Sequence, residues 1–385
     1  MSEWKKVKLG EVANIFSGYA FKSQDMNSTG GIPLIKIKNI ADFIVSTNCD
    51  SFLNKNVDVT KWEKYKLQAD DFLIAMTGQG SVGRVGKMMS FSPSYYVNQR
   101  VAIVRPDATI INPYFLYKCF ATKERENELF NKANGAGQPN ISPSQIGEIE
   151  FSIPTISSQN NIAITLSRYD SLIENYQKQI KLLEEAAQRL YKEWFVDLHF
   201  PGHENTKIVD GVPEGWEKKK VGDITPIKTG KKDANFGTVD GSYPFFTCAQ
   251  EPIKAPSYSF DTSAVILAGN GDFNVKLYRG KFEAYQRTYV LEPTNEKMLY
   301  LLYFCISENM NRLATGASGS TIKFLTKGMI ESLVINEPSI NVLNSFNQIV
   351  EPIRSQKEKL QTQIRLLTEA RDRLLPKLMS GEIDV

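Results

Sequence analysis

An internal repeat is the feature that most constrains this chain. The run from Trp4 to Gly18 recurs from Trp216 to Gly230, an offset of 216 − 4 = 212, with the tryptophan, two lysines, both glycines and an isoleucine unchanged. Five further blocks match in the same order: 74–80 with 265–271, 98–106 with 285–293, 114–120 with 300–306, 134–141 with 315–322, and 177–190 with 361–374. The repeat predicts two copies of one fold, each a globular block followed by a long helix.

Each copy ends in a helical pattern typical of coiled coils. Residues 162–194 contain no glycine or proline, and their apolar residues recur at alternating steps of four and three, which is a heptad pattern. The second copy places Lys357 and Arg371 where the first has Ile173 and Ala187, and charges in such a seam often fix register or partner. The predicted seam consists of Leu166, Tyr169, Ile173, Tyr176, Ile180, Leu183, Ala187, Leu190, Val350, Ile353, Leu360, Ile364, Leu367 and Leu374.

The helices have two possible arrangements. Each could pack only on its own block, but such a helix is roughly 50 Å long, which exceeds the diameter of a small domain. Two copies of one helix also have a partner in each other, and the second block lets the chain turn back. We therefore predict an antiparallel coiled coil.

The blocks mix short strand-like runs with amphipathic helical segments, which predicts the α+β class. We expect two similar mixed α/β domains at 1–155 and 216–338, spacer helices at 156–200 and 339–385, and a connector at 201–215. The connector contains two prolines and three glycines, as exposed links often do.

Composition excludes several classes of protein. No run of 18 apolar residues is present, and the N-terminus lacks the apolar core of a signal peptide, so we expect a cytoplasmic location. The four cysteines lie far apart and the two histidines, His199 and His203, lie in the connector region, so we expect no metal site. A net charge of +3 permits nucleic-acid binding if the positive residues cluster.

No catalytic motif emerges. The glycine-rich run at 78–87 departs from the phosphate-binding loop pattern, because Ser81 and Met88 stand where glycine and Ser or Thr are required. The run NPYF at 112–115 lacks the second proline of the aminomethyltransferase tetrapeptide. We therefore predict that the chain is not an enzyme.

Two segments carry a family resemblance. The runs LYKEWFVDLHFPG at 190–202 and LLPKLMSGEIDV at 374–385 closely resemble those that follow the conserved helices of type I restriction–modification specificity subunits. The resemblance covers essentially the whole chain. It implies two target-recognition domains, each reading one half of a bipartite, asymmetric site in double-stranded DNA, held apart by the paired spacers.

The resemblance also implies partners. Two modification (methyltransferase) subunits dock on the helices of such proteins, and restriction/translocase subunits join through them. S-adenosylmethionine, ATP and Mg would belong to those subunits, with no cofactor in this chain. The alternatives are a coiled-coil scaffold that binds protein instead of DNA, and a stand-alone enzyme with a degenerate site.

Glycine-rich polar loops between the strands are the candidate DNA contacts, although each could be an ordinary turn. Residues identical in both copies, such as the aligned pairs Gly78/Gly269, Gly80/Gly271 and Gly135/Gly316, cannot distinguish two different half-sites, so base readers are expected where the copies diverge. The first copy has about 20 extra residues after Pro33. The residues predicted to contact DNA are Lys36, Lys38, Asn39, Lys64, Lys66, Gln79, Ser81, Arg84, Arg100, Gln138, Asn140, Asn270, Asn274, Lys276, Arg287, Ser320, Thr321 and Lys323.

Overall fold

The computed structural model describes residues 4–88, 94–135, 137, 139–317, 319 and 323–383. The chain divides into two compact units, unit 1 (residues 1–174 and 365–385) and unit 2 (residues 175–364). Each unit therefore combines one globular block with part of both long helices. Within the described ranges, none of the helices has both the length and the apolar character needed to cross a membrane.

Unit 1 is built on a mixed six-stranded sheet in the order β2-β11-β8-β9-β6-β5, beside a four-stranded sheet β10-β4-β7-β3 and the pair β1-β12. Its helices are α1 (Leu9–Val12), α2 (Pro113–Phe120), α3 (Lys123–Lys132), α4 (Pro143–Gly147) and the first part of α5 (Ile156–Tyr191). Its strands are β1 (Lys5–Lys8), β2 (Ala13–Ser17), β3 (Met26–Asn27), β4 (Ile32–Ile35), β5 (Ile40–Ala41), β6 (Phe43–Val45), β7 (Phe52–Leu53), β8 (Phe72–Ala75), β9 (Val85–Lys87), β10 (Tyr96–Val97), β11 (Val101–Pro106) and β12 (Glu150–Ile153).

Unit 2 has one six-stranded sheet in the order β16-β21-β19-β20-β17-β18 and the pairs β13-β14 and β15-β22. Its strands are β13 (Ile208–Val209), β14 (Val212–Pro213), β15 (Glu217–Lys220), β16 (Ile227–Thr229), β17 (Tyr243–Phe246), β18 (Ile253–Ala255), β19 (Phe260–Ala268), β20 (Val275–Ala284), β21 (Thr288–Leu291) and β22 (Val334–Glu337). Its helices are α6 (Val221–Ile224), α7 (Leu299–Glu308), α8 (Met310–Gly316), α9 (Lys327–Glu331) and most of α10 (Ile340–Met379), and α5 ends here in a π-helical turn, Lys192–Val196.

Local sequence explains the main helices of the blocks. The side chain of Asn112 accepts a hydrogen bond from the Phe115 amide and Pro113 occupies the first turn, so the NPYF run is a helix start. Strand β8 is buried at all four positions because Phe72 and Ile74 lie in one core cluster while Leu73 and Ala75 lie in another on the opposite face of the sheet.

The strand registers show that the two blocks share the topology of four strands, β2-β11-β8-β9 in unit 1 and β16-β21-β19-β20 in unit 2. Strand β2 pairs with β11 as β16 pairs with β21, and β8 pairs with β11 as β19 pairs with β21. Val101 opposes Ala75 in unit 1, and its repeat equivalent Thr288 opposes Ala268 in unit 2. These strands are therefore offset by 268 − 75 = 193 residues.

That offset corrects the alignment of the glycine motifs made from sequence. The sequence pairing of Gly78 with Gly269 has an offset of 191, two residues short, so Gly269 stands in the place of Met76 and Gly271 in the place of Gly78. A two-residue displacement keeps every side chain on the same face of the strand, which is why the apolar pattern did not expose it.

Both long helices complete the cores of the blocks. In unit 1, Leu166 of α5 and Leu378 of α10 are fully buried in the core that contains α2 and β8. In unit 2, Ala187 of α5 and Val350 of α10 lie in the core with α7 and β19. Each block thus buries its apolar face against segments of both helices.

The segments after the helices seal the same cores. In unit 2, Phe195 and Phe200 pack on Trp216, with ring centroids 5.7 and 4.7 Å apart. In unit 1, the repeat counterpart of that tryptophan, Trp4, packs against the same core as Ile383, beyond the end of α10. The two segments that carry the family resemblance therefore close the blocks.

The helix seam is apolar with two charged contacts. None of the 14 predicted seam residues is exposed, and Leu166, Ile173, Ala187, Val350 and Leu360 are buried. In unit 2 the Lys357 ammonium lies 2.6 Å from the Glu184 carboxylate, and Trp194 packs on Phe346 further along, so the helices are antiparallel. In unit 1, Arg371 reaches Asp170 at 2.8 Å. Both seam charges of the second helix therefore have a partner on the first.

Asp170 is the centre of a buried polar network in unit 1. Lys118 Nζ and the Tyr114 hydroxyl donate to Asp170 Oδ2 at 2.7 and 2.6 Å, while Arg371 Nη1 donates to Oδ1. Burial raises the pKa of Asp170, but the Lys118 ion pair and the hydrogen bonds outweigh it, so the pKa is lowered. The network connects α2, α5 and α10.

An aspartate introduced into the seam should lower the free energy of unfolding more than an aspartate introduced beside the seam. Leu183→Asp places a carboxylate in a half-buried seam position, and we expect it to lower the free energy of unfolding by about 2 kcal/mol. Its neighbour Leu182 is 64% exposed, so Leu182→Asp should change stability by less than about 0.5 kcal/mol. Denaturant unfolding followed by circular dichroism measures both. Equal losses would contradict the seam.

Removal of the Asp170 charge should destabilise the chain in a pH-dependent way. Asp170→Asn leaves Lys118 without its carboxylate and Arg371 with Asp372 alone, and we expect a loss of about 3 kcal/mol at pH 7. Because the native pKa is lowered, the carboxylate stabilises the fold above the unfolded pKa of about 3.9. That contribution is lost as pH falls through the lower native pKa, so the difference from wild type should shrink below about pH 4.

The control for this prediction is Glu184→Gln. The Glu184 side chain is 50% exposed, so its loss should cost less than about 1 kcal/mol. Thermal unfolding from pH 3 to pH 8 tests both variants. A pH-independent deficit for Asp170→Asn would show that packing, and not charge, makes this site important.

Candidate nucleic-acid interface

Three loops of unit 1 meet at one end of the six-stranded sheet. They are the GxG loop (77–84), the QR loop (98–100) and the third loop (134–140). The Met76 amide, just before the GxG loop, donates to Arg100 O at 3.0 Å, and the Gly78 amide donates to Pro139 O at 3.2 Å. Thr77 and Asn140 form an antiparallel bridge. Backbone hydrogen bonds therefore hold the three loops side by side.

Unit 2 holds its three loops in the same way. They are the GxG loop (269–274), the QR loop (285–287) and the third loop (315–324). The Gly269 amide donates to Arg287 O at 2.8 Å, and Asn270 bridges Phe324. The Leu325 amide donates to Gly269 O at 2.8 Å, as Ile141 does to Met76 O in unit 1. The third loops are thus offset by 325 − 141 = 184 residues, three more than the offset of the sequence alignment. Gly316 is therefore not the structural equivalent of Gly135, and that pairing is corrected.

A close backbone approach positions the QR loop in both units. A Cβ atom on Gly18 would lie 2.3 Å from Val97 O, and one on Gly230 would lie 2.0 Å from Ala284 O. The amides of these glycines donate to the carbonyls of Val101 and Thr288. Only glycine fits between the two chain segments, which gives these repeated residues a scaffolding role.

The predicted DNA-contacting residues differ in exposure. Lys38, Lys64, Gln79, Arg100, Asn140, Arg287 and Lys323 are exposed, while Lys36, Lys66, Ser81, Arg84, Asn270, Asn274 and Lys276 are half-buried. Gln138, Ser320 and Thr321 lie outside the described residues. The three-loop surfaces bring together Gln79, Arg100 and Asn140 in unit 1, and Asn270, Arg287 and the third loop in unit 2.

Asn39 has a different role from the predicted one. It is 4% exposed, accepts a hydrogen bond from the Lys36 amide and donates to Asn48 O. A buried amide that is engaged in this way supports its own loop, so the prediction of a DNA contact here is corrected to a structural role.

Two residues of the GxG loop of unit 1 brace that loop. Arg84 Nη2 donates to Gly80 O at 2.7 Å and the Ser81 hydroxyl donates to Thr77 O at 3.3 Å. The guanidinium thus holds the loop that presents Gln79, the exposed polar residue at its tip.

In unit 2, three of the residues predicted to contact DNA connect the GxG loop and the start of β20 to the segment 248–250. Asn270 Oδ1 accepts from Cys248 Sγ at 2.8 Å, Asn274 Nδ2 donates to Cys248 O at 3.0 Å, and Lys276 Nζ donates to Ala249 O at 2.8 Å. Partial burial lowers the pKa of Lys276. These side chains fix the shape of the loop.

The extra residues of unit 1 support an aromatic cluster beside the QR loop. Tyr19 forms a parallel bridge with Asn98 of the QR loop. Its ring packs on Trp62 and Tyr65, with ring centroids 5.6 and 5.1 Å apart. The Lys64 ammonium lies 5.0 Å from the centre of the Phe16 ring. Lys64 is therefore exposed but held in place.

Sequence reasoning missed a cationic pair at the equivalent place in unit 2. Lys231 and Lys232 follow Gly230 directly, and the Gln286 amide donates to Lys232 O at 3.0 Å. Lys231 is exposed, and the Lys232 ammonium lies 4.5 Å from the centre of the Phe236 ring. In unit 1 the residues that follow Gly18 are tyrosine and alanine. The divergence of the two copies at these positions was the signal in the sequence that could have identified the lysine pair.

The described part of the chain contains no group of three or more His, Cys, Asp or Glu side chains placed to hold a metal ion. What the two units share is a platform of three adjoining loops on a common α+β fold. The molecule therefore belongs to the class of duplicated α+β proteins in which each copy combines a three-loop platform with segments of two long helices.

Comparisons with known proteins agree with this class. Residues 1–185 and 213–364 match the family described as "Type I restriction modification DNA specificity domain". The specificity subunit of the type I restriction enzyme EcoDI of Escherichia coli is 38% identical over 176 residues, which span 45% of this chain and 39% of that protein. The MjaIX specificity subunit of Methanocaldococcus jannaschii is 26% identical over 415 aligned positions, which span 100% of this chain and 94% of that protein.

A solved structure shares the fold. The S subunit of a type I restriction–modification system from M. genitalium superposes with a TM-score of 0.62 at 17% identity, covering 98% of this chain and 96% of that one. The chain belongs to the type I restriction–modification DNA specificity family, with two copies of the specificity domain.

Proposed function

We propose that this chain is the DNA-reading, non-catalytic subunit of a type I restriction–modification complex, acting in the cytoplasm on a bipartite, asymmetric site in double-stranded DNA. The observation that carries the proposal is the pair of three-loop platforms, which share one backbone frame but carry different side chains. Identical frames with different polar residues are what two different half-sites require.

The residues of the two platforms are suited to two kinds of DNA contact, with phosphates and with base edges. Arg100 and Arg287 are exposed, occupy equivalent positions and are identical, so they are suited to phosphates, which position a protein without reading sequence. Lys231 and Lys323 add positive charge to the platform of unit 2. Gln79 and Asn140 differ from their counterparts Asp272 and Phe324 and are suited to base edges in unit 1.

Methylation and cleavage belong, in this proposal, to partner subunits that carry S-adenosylmethionine, ATP and Mg. Two modification subunits would dock on the spacer helices, and restriction/translocase subunits would join through them. Leu182 and Leu366 occupy equivalent positions in the two helices and are 64% and 52% exposed. A repeated, exposed leucine on each helix suits the docking of two copies of one partner.

Host-genome methylation mapping should first reveal the bipartite motif. DNA binding by the chain with its modification subunit should then weaken on Lys231→Ala or Lys323→Ala, and each should reduce the slope of log affinity against log salt by about one. Arg84→Ala should weaken binding with a smaller change in slope, because its guanidinium holds the GxG loop. Lys207→Ala, an exposed lysine of the connector, is the control.

Gel-shift titrations at several salt concentrations, on duplexes that carry the motif and on mismatched duplexes, measure these effects. Wild-type binding that does not prefer the motif would refute the proposed function. Motif-specific binding with unchanged slopes would remove only Lys231 and Lys323 from the interface.

Docking of the modification subunit should depend on the two repeated leucines. Leu182→Asp and Leu366→Asp should each weaken binding to it by roughly ten- to a hundred-fold, because each removes the burial of one leucine side chain, without a loss of thermal stability. Leu172→Asp is the control, because Leu172 is 42% exposed but its counterpart is Gln356. Isothermal titration calorimetry tests this, and wild-type affinity in the double variant would contradict it.

A further inference from the structure

A groove of about 650 Å³ lies within unit 2. Its walls are β20, the segment 246–252, α7 and the α5 and α10 helices, with Val275, Leu277, Tyr303 and Ile353 among the lining residues. Glu184 and Lys357, the charged contact of the seam, line it as well. The groove therefore combines apolar and charged side chains.

One wall of the groove is an open strand edge. On the side away from β19, β20 pairs with β17 only at Glu283 and Ala284. From Val275 to Lys281, no strand in the described part of the chain pairs with that side. Unpaired strand edges bind other extended segments readily.

The equivalent edge in unit 1 is occupied by the chain itself. Phe72 opposes Lys87 in unit 1, and its equivalent Val265 opposes Leu277 in unit 2, so β9 corresponds to the start of β20. Strand β6 pairs in parallel with β9, through Phe43 opposite Gly86. Unit 1 thus contains the strand that unit 2 lacks.

That strand comes from the longer connection in unit 1. Residues 36–51 join β4 to β7, whereas the six residues 247–252 join β17 to β18. Strands β5 and β6 form a hairpin whose turn residues, Asp42 and Phe43, have φ angles of 49° and 63°. Non-glycine residues adopt this conformation at a cost, so tertiary contacts must hold the turn.

A tyrosine hydroxyl supplies one of these contacts. Tyr117 donates a hydrogen bond of 2.6 Å to Phe43 O, and the Lys123 ammonium lies over the Phe43 ring. The repeat equivalent of Tyr117 is Tyr303, which lines the groove. Its hydroxyl makes no hydrogen bond within the described ranges, so unit 2 keeps the donor and lacks the acceptor.

We propose that an extended segment of the modification subunit occupies this groove, pairs in parallel with the free edge of β20, and places a large apolar side chain where Phe43 lies in unit 1. The inference rests on the proposed docking of that subunit on the helices. Glu185 lines the groove and lies one turn from the exposed Leu182 on the same face of α5, so the groove adjoins the docking surface. Main-chain hydrogen bonds supply affinity in this mode, and the side-chain pocket supplies specificity.

The repeat provides a matched test in the assembled complex of full-length chain and modification subunit. A benzophenone amino acid at position 303 should form a covalent adduct with the modification subunit on irradiation, whereas the same probe at position 117, which is covered by β6, should not. The probe at position 182 reports docking itself. Adducts are identified by mass spectrometry.

A second pair of variants tests the hydrogen bond without a bulky probe. Tyr303→Phe should weaken binding of the modification subunit by roughly two- to ten-fold. Tyr117→Phe should leave that affinity unchanged and lower the melting temperature, because its acceptor is in the same chain.

The outcomes separate the groove from the docking proposal. Adducts from position 182 with none from 303, and wild-type affinity for Tyr303→Phe, would overturn the groove assignment and leave docking intact. An adduct from 303 to a second copy of this chain would also overturn it. No complex and no adduct from either position would overturn docking and the groove together.

Discussion

Neither globular block closes its core alone, and the rest of the structure depends on this constraint. In each unit, the apolar face of the block is covered by segments of both long helices, through Leu166 and Leu378 in one and Ala187 and Val350 in the other. Burial of apolar area is the main favourable term in folding. The helices are therefore part of each recognition domain's core as well as partners of each other.

Charged contacts between the two long helices fix the register in which their apolar seam packs. The seam alone would tolerate displacement of one helix along the other by a heptad, since its apolar residues repeat. Arg371 and Lys357 each reach a carboxylate on the opposite helix, and Asp170 is almost fully buried with Lys118 and Arg371. A displaced register would separate Arg371 from Asp170 and Lys357 from Glu184, so both contacts favour the observed register. The polar contacts thus specify one register among several apolar ones, as single polar residues do in other coiled coils.

The two copies keep the same backbone arrangement of the three loops and differ in the segments around it. Backbone hydrogen bonds place the same three loops together in both units, and Gly18 and Gly230 permit the same close approach. Around that frame, unit 1 adds an aromatic cluster and the strand β6, whereas unit 2 has Lys231, Lys232 and an open groove. A constant frame with variable surroundings suits a protein whose two copies meet different partners.

The sequence by itself determined the duplication, the α+β class, the two long helices and their seam, because periodicity and repetition are local properties of the chain. It also placed the polar loops, whose glycines mark turns. Only the tertiary structure decided the pairing of Gly271 with Gly78, the burial of Asn39 and the free edge of β20. These depend on which backbone groups bond across the sheet and on how much chain a distant insertion supplies, and residue spacing encodes neither.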